Sequence, residues 1–469
     1  MLNLLNSIVT SVNNILWSYV LIILLISIGA YFTIHLKFPQ FRFFSHTVKL
    51  LRNGRKTSDG EEGVAVSSFQ AFCISVASHV GTGNLAGVAI AVTVGGPGAV
   101  FWMWVIALLG AGSSFVENTL AQIYKVKGEN GYKGGPAYYM EKALGKRKLG
   151  IVFSVLITIS FGLVFNSVQA NTVTLAFEGA FGITRFWGGM ILVGLTALVI
   201  FGGVKRIAKV AEILVPVMAV AYVFVAFFVI FKNIAQVPAV FKMIFQGAFG
   251  LKQFTGGGIG AAIMMGIKRG LFSNEAGMGS APNAAATADV SHPVKQGIVQ
   301  VFGVFLDTIV ICSATAFIIL ISGEQLNNGL TGIKLTQVAL TSQVGNWGNI
   351  FIATCIFMFA FSSIIGNYYY GESNIEFING NKIWLNIFRV AVIGMVFWGS
   401  MSSISIVWNM ADLFMGAMAL INLVVIFKLS EVLPKVIKDY AIQIKQGKDP
   451  VFHADSIDGL TNTECWDKD

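Results

Sequence analysis

Two short stretches of this chain hold residue types suited to binding small charged solutes: Val80-Gly81-Thr82-Gly83-Asn84 and Ser273-Asn274-Glu275-Ala276-Gly277-Met278-Gly279. Each sets glycines, amides and hydroxyls inside an apolar run long enough to cross a bilayer. A helix interrupted there frees its backbone. N–H groups at the start of the second half-helix turn a positive dipole end toward an anion, and carbonyls at the end of the first half-helix suit a small cation. An amino acid together with Na⁺ needs both kinds of site. Gly81 and Gly83 tolerate backbone angles that other residues resist, and Thr82 and Asn84 add side-chain oxygens. The competing reading is close packing of helices through small residues, but packing does not require the hydrogen-bonding groups of Gly-x-Gly-Asn. In the second stretch Gly277 and Gly279 are the candidates for opened backbone. Glu275 is an ionisable group near mid-membrane that has to be paired, protonated or in contact with water. Two partners are open to it: a substrate ammonium, or Lys268 or Arg269, about one to two turns earlier.

The elements that must position these stretches are membrane helices. Hydrophobic residues make up 55% of the chain and charged residues 12%, and the mean hydropathy is +0.73, which identifies a polytopic membrane protein. Apolar runs at 15–37, 66–94, 99–124, 150–177, 186–203, 208–231, 257–290, 295–322, 349–371, 382–400 and 404–430 predict about eleven spans in an all-α fold. The net charge of +9 does not point to nucleic acid, because the cations gather in alternate loops. Lys37, Arg42, Lys49, Arg52, Arg55 and Lys56 follow the first span, a lysine-rich group at 125–148 follows the third, and Lys205, Arg206 and Lys209 follow the fifth. Those loops are expected on the cytoplasmic side, with the N-terminus outside and the C-terminus inside a cell membrane. Residues 1–14 lack Lys and Arg, so the first span does not open like a secretory signal and is expected to be retained. Cys73, Cys312, Cys355 and Cys465 are widely spaced and argue against a disulfide framework or a cysteine metal site. From 430 to 446 apolar residues alternate with lysines as in an amphipathic helix on the inner leaflet. The polar remainder reads as peripheral.

Setting aside the leading helix at 15–37, the other ten spans divide into two groups of five, at 66–231 and 257–430, and each group begins with an interrupted helix. An odd number of spans per group turns the second upside down, so the repeat is inverted and the two discontinuous helices meet antiparallel at mid-membrane. A single transport domain, 1–430, followed by a cytoplasmic tail at 431–469, is the expected organisation.

Longer runs make the pattern specific. Gly81-Thr82-Gly83-Asn84-Leu85-Ala86-Gly87-Val88-Ala89, Gly95-Gly96-Pro97-Gly98-Ala99-Val100-Phe101-Trp102-Met103-Trp104, Gly134-Gly135-Pro136-Ala137-Tyr138-Tyr139 and Gly270-Leu271-Phe272-Ser273-Asn274-Glu275-Ala276-Gly277-Met278-Gly279-Ser280-Ala281-Pro282 resemble the alanine or glycine:cation symporter family over nearly the whole chain. The resemblance implies a LeuT-like fold and uptake of a small neutral amino acid coupled to Na⁺, with no organic cofactor and no obligatory protein partner. It places the substrate carboxylate near the backbone of Thr82 and Gly83, with Asn84 bracing the unwound turn. Ser273, Asn274, Gly277 and Met278 would close the pocket from the other broken helix. It also implies a cation site formed by the Ala77 and Val80 carbonyls with the Ser362 and Ser363 hydroxyls, hard oxygen ligands of the kind Na⁺ requires. Asn166, Gln169 and Asn171 resemble the family's Asn-x-x-Gln-x-Asn pattern. Asn166 and Gln169 share a helical face, either to touch substrate or to bond neighbouring helices. Asn367 stands where some members carry Trp, which leaves room for a larger amide such as glutamine beside alanine or glycine.

Other polar residues have two readings each. His79, before the first break, is a pH-sensitive gate or a satisfied helix residue. Glu117 and Asp307 are buried acids that need partners, for which Lys268 or Arg269 is available. No His-Glu-x-x-His or Gly-x-Ser-x-Gly motif supports a membrane enzyme. Gly256-Gly257-Gly258-Ile259-Gly260-Ala261 matches a dinucleotide pattern without a strand before it. An uncoupled channel or facilitator would use the same broken helices, and Na⁺-dependent, saturable uptake separates it from a symporter.

Overall fold

The computed structural model describes residues 2–53, 66–128, 131–250, 258–324 and 329–466. Arg55, Lys56, Gly256 and Gly257 lie outside the described residues. Among those described, eight helices are long and apolar enough to cross a membrane, or nine if a bent pair is one span. The eight are Val9–His35, Gly98–Ile123, Arg147–Phe181, Lys209–Lys232, Pro293–Ser322, Trp347–Ile378, Lys382–Met401 and the helix that begins at Ile404. The bent pair is Ser68–His79 with Gly83–Gly95. Two further helices of 16 residues each bear on the site, the apolar Arg185–Ile200 and the more polar Ile259–Asn274. The second of these stops at Asn274, within the interruption expected at 273–279.

Small residues decide which helices approach most closely. Ile259–Asn274 lies along Gly98–Ile123, where a Cβ at Gly270 would face the Met103 backbone and the Ile106 side chain and one at Gly266 would press on the Ala99 carbonyl and Trp102. Glycines four apart form one face, so backbones rather than side chains set this seam. Helix Lys209–Lys232 shows the opposite pattern. Its Val220, Phe224 and Phe231 are exposed, as expected for residues that meet lipid. The leading helix is tied to the helix beginning at Ile404 by Trp17, whose Nε1–H donates to the Asp412 carbonyl at 3.1 Å.

The two broken helices also meet away from their breaks. Val66 and Ser67 pair in parallel with Ala288 and Asp289, and Ser67 caps the helix it precedes through a reciprocal bond with Gln70. Beside this bridge the C-terminal segment docks rather than standing peripheral. The Phe452 N–H donates to the Ser291 carbonyl at 2.8 Å, Lys295 pairs with Asp449 at 2.6 Å, and Trp466 Nε1–H donates to the Gln122 carbonyl at 2.9 Å. The apolar face of helix Leu433–Lys445 packs on protein, with Tyr440 edge-on to Phe43 at 5.5 Å.

Candidate functional site

The first break begins at Val80. Its N–H still reaches the Val76 carbonyl at 2.8 Å, but its own backbone is extended, with φ −80° and ψ 92°. The axis turns by 44° before Gly83–Gly95 resumes. Asn84 closes the turn from within: its Oδ1 accepts from the Gly81 N–H at 2.8 Å, in the manner of a helix cap. The Thr82 N–H, left without a helical partner, donates to Gln169 Oε1 at 3.0 Å. Gly81 and Gly83 do not adopt positive φ. Their glycine is needed for room, because a Cβ at Gly83 would sit 3.0 Å from Ser273 Cα and one at Gly81 would collide with the Ser363 hydroxyl.

Carbonyls freed at the end of the first half-helix converge on a hydroxyl pair. Ser363 Oγ lies 2.9 Å from the Ala77 carbonyl, 3.2 Å from that of Ser78 and 3.4 Å from that of Val80. Ser362 Oγ is 3.5 Å from the Ala77 carbonyl. All four oxygen donors expected for a cation are therefore together. The Phe359 carbonyl, 2.8 Å from Ser362 Oγ and 3.0 Å from Ser363 Oγ, joins them. Sequence reasoning missed it, although a serine hydroxyl commonly reaches the carbonyl three or four residues back on its own helix.

A buried polar network surrounds the break. Asn84 Nδ2 donates to Asp307 Oδ1, Asp307 Oδ2 accepts from Thr308 Oγ1 at 2.8 Å, and Asn274 Nδ2 donates to Thr308 Oγ1 at 3.1 Å. Ser273 Oγ is 3.1 Å from Cys312 Sγ. On another side Ser78 Oγ is 2.7 Å from both Glu275 Oε1 and Asn367 Oδ1, and Asn367 Nδ2 donates to Asn166 Oδ1 at 3.2 Å. The Thr82 hydroxyl is buried without a hydrogen-bond partner among the described residues. Three π-helical segments hold this network: Gly83–Gly87 contains Asn84, Phe305–Cys312 contains Asp307 and Thr308, and Thr158–Phe165 ends beside Asn166. Such segments recur at functional sites.

The second break runs from Glu275 to Ser280. Glu275 has φ 55°, and Gly277 and Gly279 have φ 86° and 82°, the left-handed region that favours glycine. The opened N–H groups of Gly277 and Gly279 each donate to a Glu117 carboxyl oxygen at 3.0 Å, and Asn422 Nδ2 donates to Glu117 Oε2 at 2.7 Å. The Gly277 N–H and its carbonyl, which takes Asn422 Nδ2 at 3.0 Å, are thus held by protein. Buried Met278 lies in the same turn. These two residues stand on the Glu117 side of the break, apart from the group around Thr82.

Other assignments change. Lys268 and Arg269 do not neutralise Glu275, Glu117 or Asp307. Both pair with Asp412, through Lys268 Nζ at 2.7 Å and Arg269 Nη2 at 2.7 and 2.8 Å. Glu275 instead bonds Ser78 and Ser280, with His79 Nε2 3.7 Å away. Asn171 donates to the Gly399 and Ser402 carbonyls at 2.9 and 2.7 Å, a structural bond outside the network. Beside the site a row of aromatic rings runs Phe161, Phe165, Phe272, Trp408, with centroids 4.5, 4.7 and 4.6 Å apart, the first two pairs stacked and the last tilted, and Arg269 lies 4.5 Å over Trp408. Phe165 and Phe272 directly precede Asn166 and Ser273, an adjacency visible in the sequence but not used.

A model of the sodium:alanine symporter family matches residues 2–454. The chain belongs to that family. This sodium:alanine symporter family member is 56% identical over 466 residues to the probable sodium/glutamine symporter GlnT of Bacillus subtilis (strain 168), covering 99% of this chain and 97% of that protein. It is 39% identical over 437 residues to the sodium/alanine symporter AgcS of Methanococcus maripaludis, covering 91% and 95%. Its fold is similar to a Na⁺-coupled sialic acid symporter solved in a substrate-bound outward-open state, with TM-score 0.52 and 14% identity over 90% of this chain and 92% of that one. The LeuT-like fold that the family resemblance implies is the fold the family member has.

Proposed function

We propose that this sodium:alanine symporter family member couples inward Na⁺ movement to uptake of a small neutral amino acid by alternating access. The observation that carries the proposal is the Ala77 and Val80 carbonyls meeting the Ser362 and Ser363 hydroxyls beside a freed Thr82 N–H. Na⁺ at those oxygens would hold the carbonyl end of the break while the N–H end takes the substrate carboxylate. Gln169 Oε1 now accepts from Thr82 N–H; a carboxylate there would replace it as acceptor and leave the Gln169 amide N–H groups free to donate. Two ligands that order one unwound turn strengthen each other reciprocally. Thr82, Gly83, Asn84, Gln169, Ser273 and Asn274 form the inner wall of this site. Asn166 and Asn367 line its amide-rich side and suit a side-chain amide, so glutamine stands beside alanine and glycine as substrate. Gly277 and Met278 act through the turn that Glu117 holds. The cation-rich loops face the cytoplasm, with the N-terminus outside, the five-span groups at 66–231 and 257–430 are the inverted repeats, and the bundle that carries the two breaks rocks inward once both ligands are bound.

Uptake of labelled alanine, glycine and glutamine into proteoliposomes, with and without a Na⁺ gradient, tests the activity. Ser362→Ala with Ser363→Ala should raise the Na⁺ concentration needed for half-maximal uptake by about a hundredfold, the loss of two charge-assisted contacts at about 1.5 kcal/mol each. Unchanged Na⁺ activation in that double variant refutes the cation site.

A further inference from the structure

A second charged site lies where the leading helix leaves the membrane. Val9–His35 ends as a span at His35, and the next turn is unusual: Lys37 and Phe38 both have left-handed backbones, with φ 58° and 56°. That turn leads into Pro39–Arg42 and sets the segment beside helix Leu433–Lys445. Between them is a groove of about 480 Å³ lined by Lys37, Arg42, Lys438 and Lys445, with His35 at its edge. Lys438 and Lys445 are seven residues apart and so share a helix face. No carboxylate lines the groove, and among the described residues none forms an ion pair with these four cations. Its floor is apolar, formed by Leu36, Ile437 and Ala441. Exposed Ile34, Phe38, Phe41 and Ile442 belong to the same elements.

A neighbouring groove of about 530 Å³ gives the contrast. It carries His46, Lys49, Lys295 and Lys448, but it also contains Asp289 and Asp449, and its Lys295 is already paired with Asp449 at 2.6 Å. Of these two grooves, the first gathers cations without compensating charge among the described residues, and it does so at the end of a membrane span. Four like charges brought together repel, and an anion between them removes that cost. The ligand chemistry follows from the surroundings: a phosphate for the cations, and hydrocarbon for the apolar floor and the exposed side chains at headgroup depth. We propose that this groove is a binding site for the headgroup of an anionic phospholipid, joining the end of the leading helix to helix Leu433–Lys445.

The test uses the full chain in neutral detergent with fluorescent phosphatidylglycerol, fluorescent phosphatidylcholine and inorganic phosphate as separate probes. Phosphatidylglycerol should bind more tightly than phosphatidylcholine by about tenfold or more, and each of Lys37→Gln, Arg42→Gln, Lys438→Gln and Lys445→Gln should weaken it about fivefold. Lys438→Arg with Lys445→Arg should retain binding, which separates charge from side-chain shape. Lys49→Gln with Lys448→Gln, in the compensated groove, should leave it unchanged. Equal binding of the two lipids overturns the proposal, as does wild-type phosphatidylglycerol affinity in the Lys438→Gln and Lys445→Gln proteins. Displacement of the lipid by millimolar inorganic phosphate would assign the groove to a soluble anion and overturn the lipid assignment.

Discussion

Glu117→Gln probes the device that holds the second break open. The Glu117 carboxyl accepts three N–H bonds, from Gly277 at 3.0 Å, Gly279 at 3.0 Å and Asn422 at 2.7 Å. A glutamine of the same shape has one oxygen. If that oxygen takes the place of Oε2, it keeps Gly279 and Asn422, but its NH₂ group then faces the Gly277 N–H, donor against donor. Leaving a buried donor unsatisfied costs about 1–3 kcal/mol, and the two retained bonds lose the charge assistance that makes such bonds roughly twice as strong. The sum is about 2–5 kcal/mol against the folded state. Asn422→Ala removes one of the three donors and also strands the Gly277 carbonyl and the buried Tyr139 hydroxyl that Asn422 holds, so it should cost a comparable amount, about 2–5 kcal/mol. Reversible detergent denaturation of the purified protein measures both, and Na⁺-driven uptake at matched protein amounts shows whether the turn must be held for transport. A Glu117→Gln protein with an unchanged unfolding midpoint and wild-type uptake would refute the view that this carboxyl holds the Gly277 and Gly279 backbone.

Gly277→Ala forces a side chain into φ 86° and sets its Cβ 2.9 Å from Leu423 Cδ2; it should destabilise by about 1–3 kcal/mol from backbone strain alone. Adding Leu423→Ala should relieve the collision but not the strain, so denaturation should show partial recovery at most. Asp412→Asn leaves Lys268 and Arg269 without their shared carboxylate and should cost about 3 kcal/mol, whereas Asp412→Glu keeps the charge and should lose less in the same assay. Asn367→Trp fills the amide-rich side of the site; competition uptake should show glutamine losing at least about tenfold relative to glycine, the scale of a steric misfit in a closed pocket.

Both breaks were legible because glycine and asparagine in an apolar run leave few alternatives. Their internal logic was only half legible. Gly277 and Gly279 are glycines for their backbone angles, as read, but Gly81 and Gly83 are glycines for space, which depends on Ser363, Gln169 and Ser273 lying across the gap. The ion pairs were misplaced for a similar reason. Lys268 and Arg269 have acids near in sequence, yet their partner Asp412 lies 143 residues beyond Arg269. Glu117 meets its glycines across 160 and 162 residues. The docked C-terminal segment escaped notice because Phe452, Ile457 and Trp466 are isolated among polar residues and show no periodicity, although each is buried.

The π-helical segments set a limit on how this chain can change length. Each such turn closes over one residue more than an α-helical turn. Deleting a single residue within Phe305–Cys312 would therefore let the backbone close as ordinary helix without breaking it and leave whatever follows facing as before, because the surplus residue is what the wide turn takes up. Only the side chains of the wide turn itself would be re-aimed, so Thr308 would leave Asn274 and Asp307 would leave Asn84 although the span still crossed the bilayer. A one-residue gap at these three places thus separates proteins that share an outline from proteins that share a binding chamber.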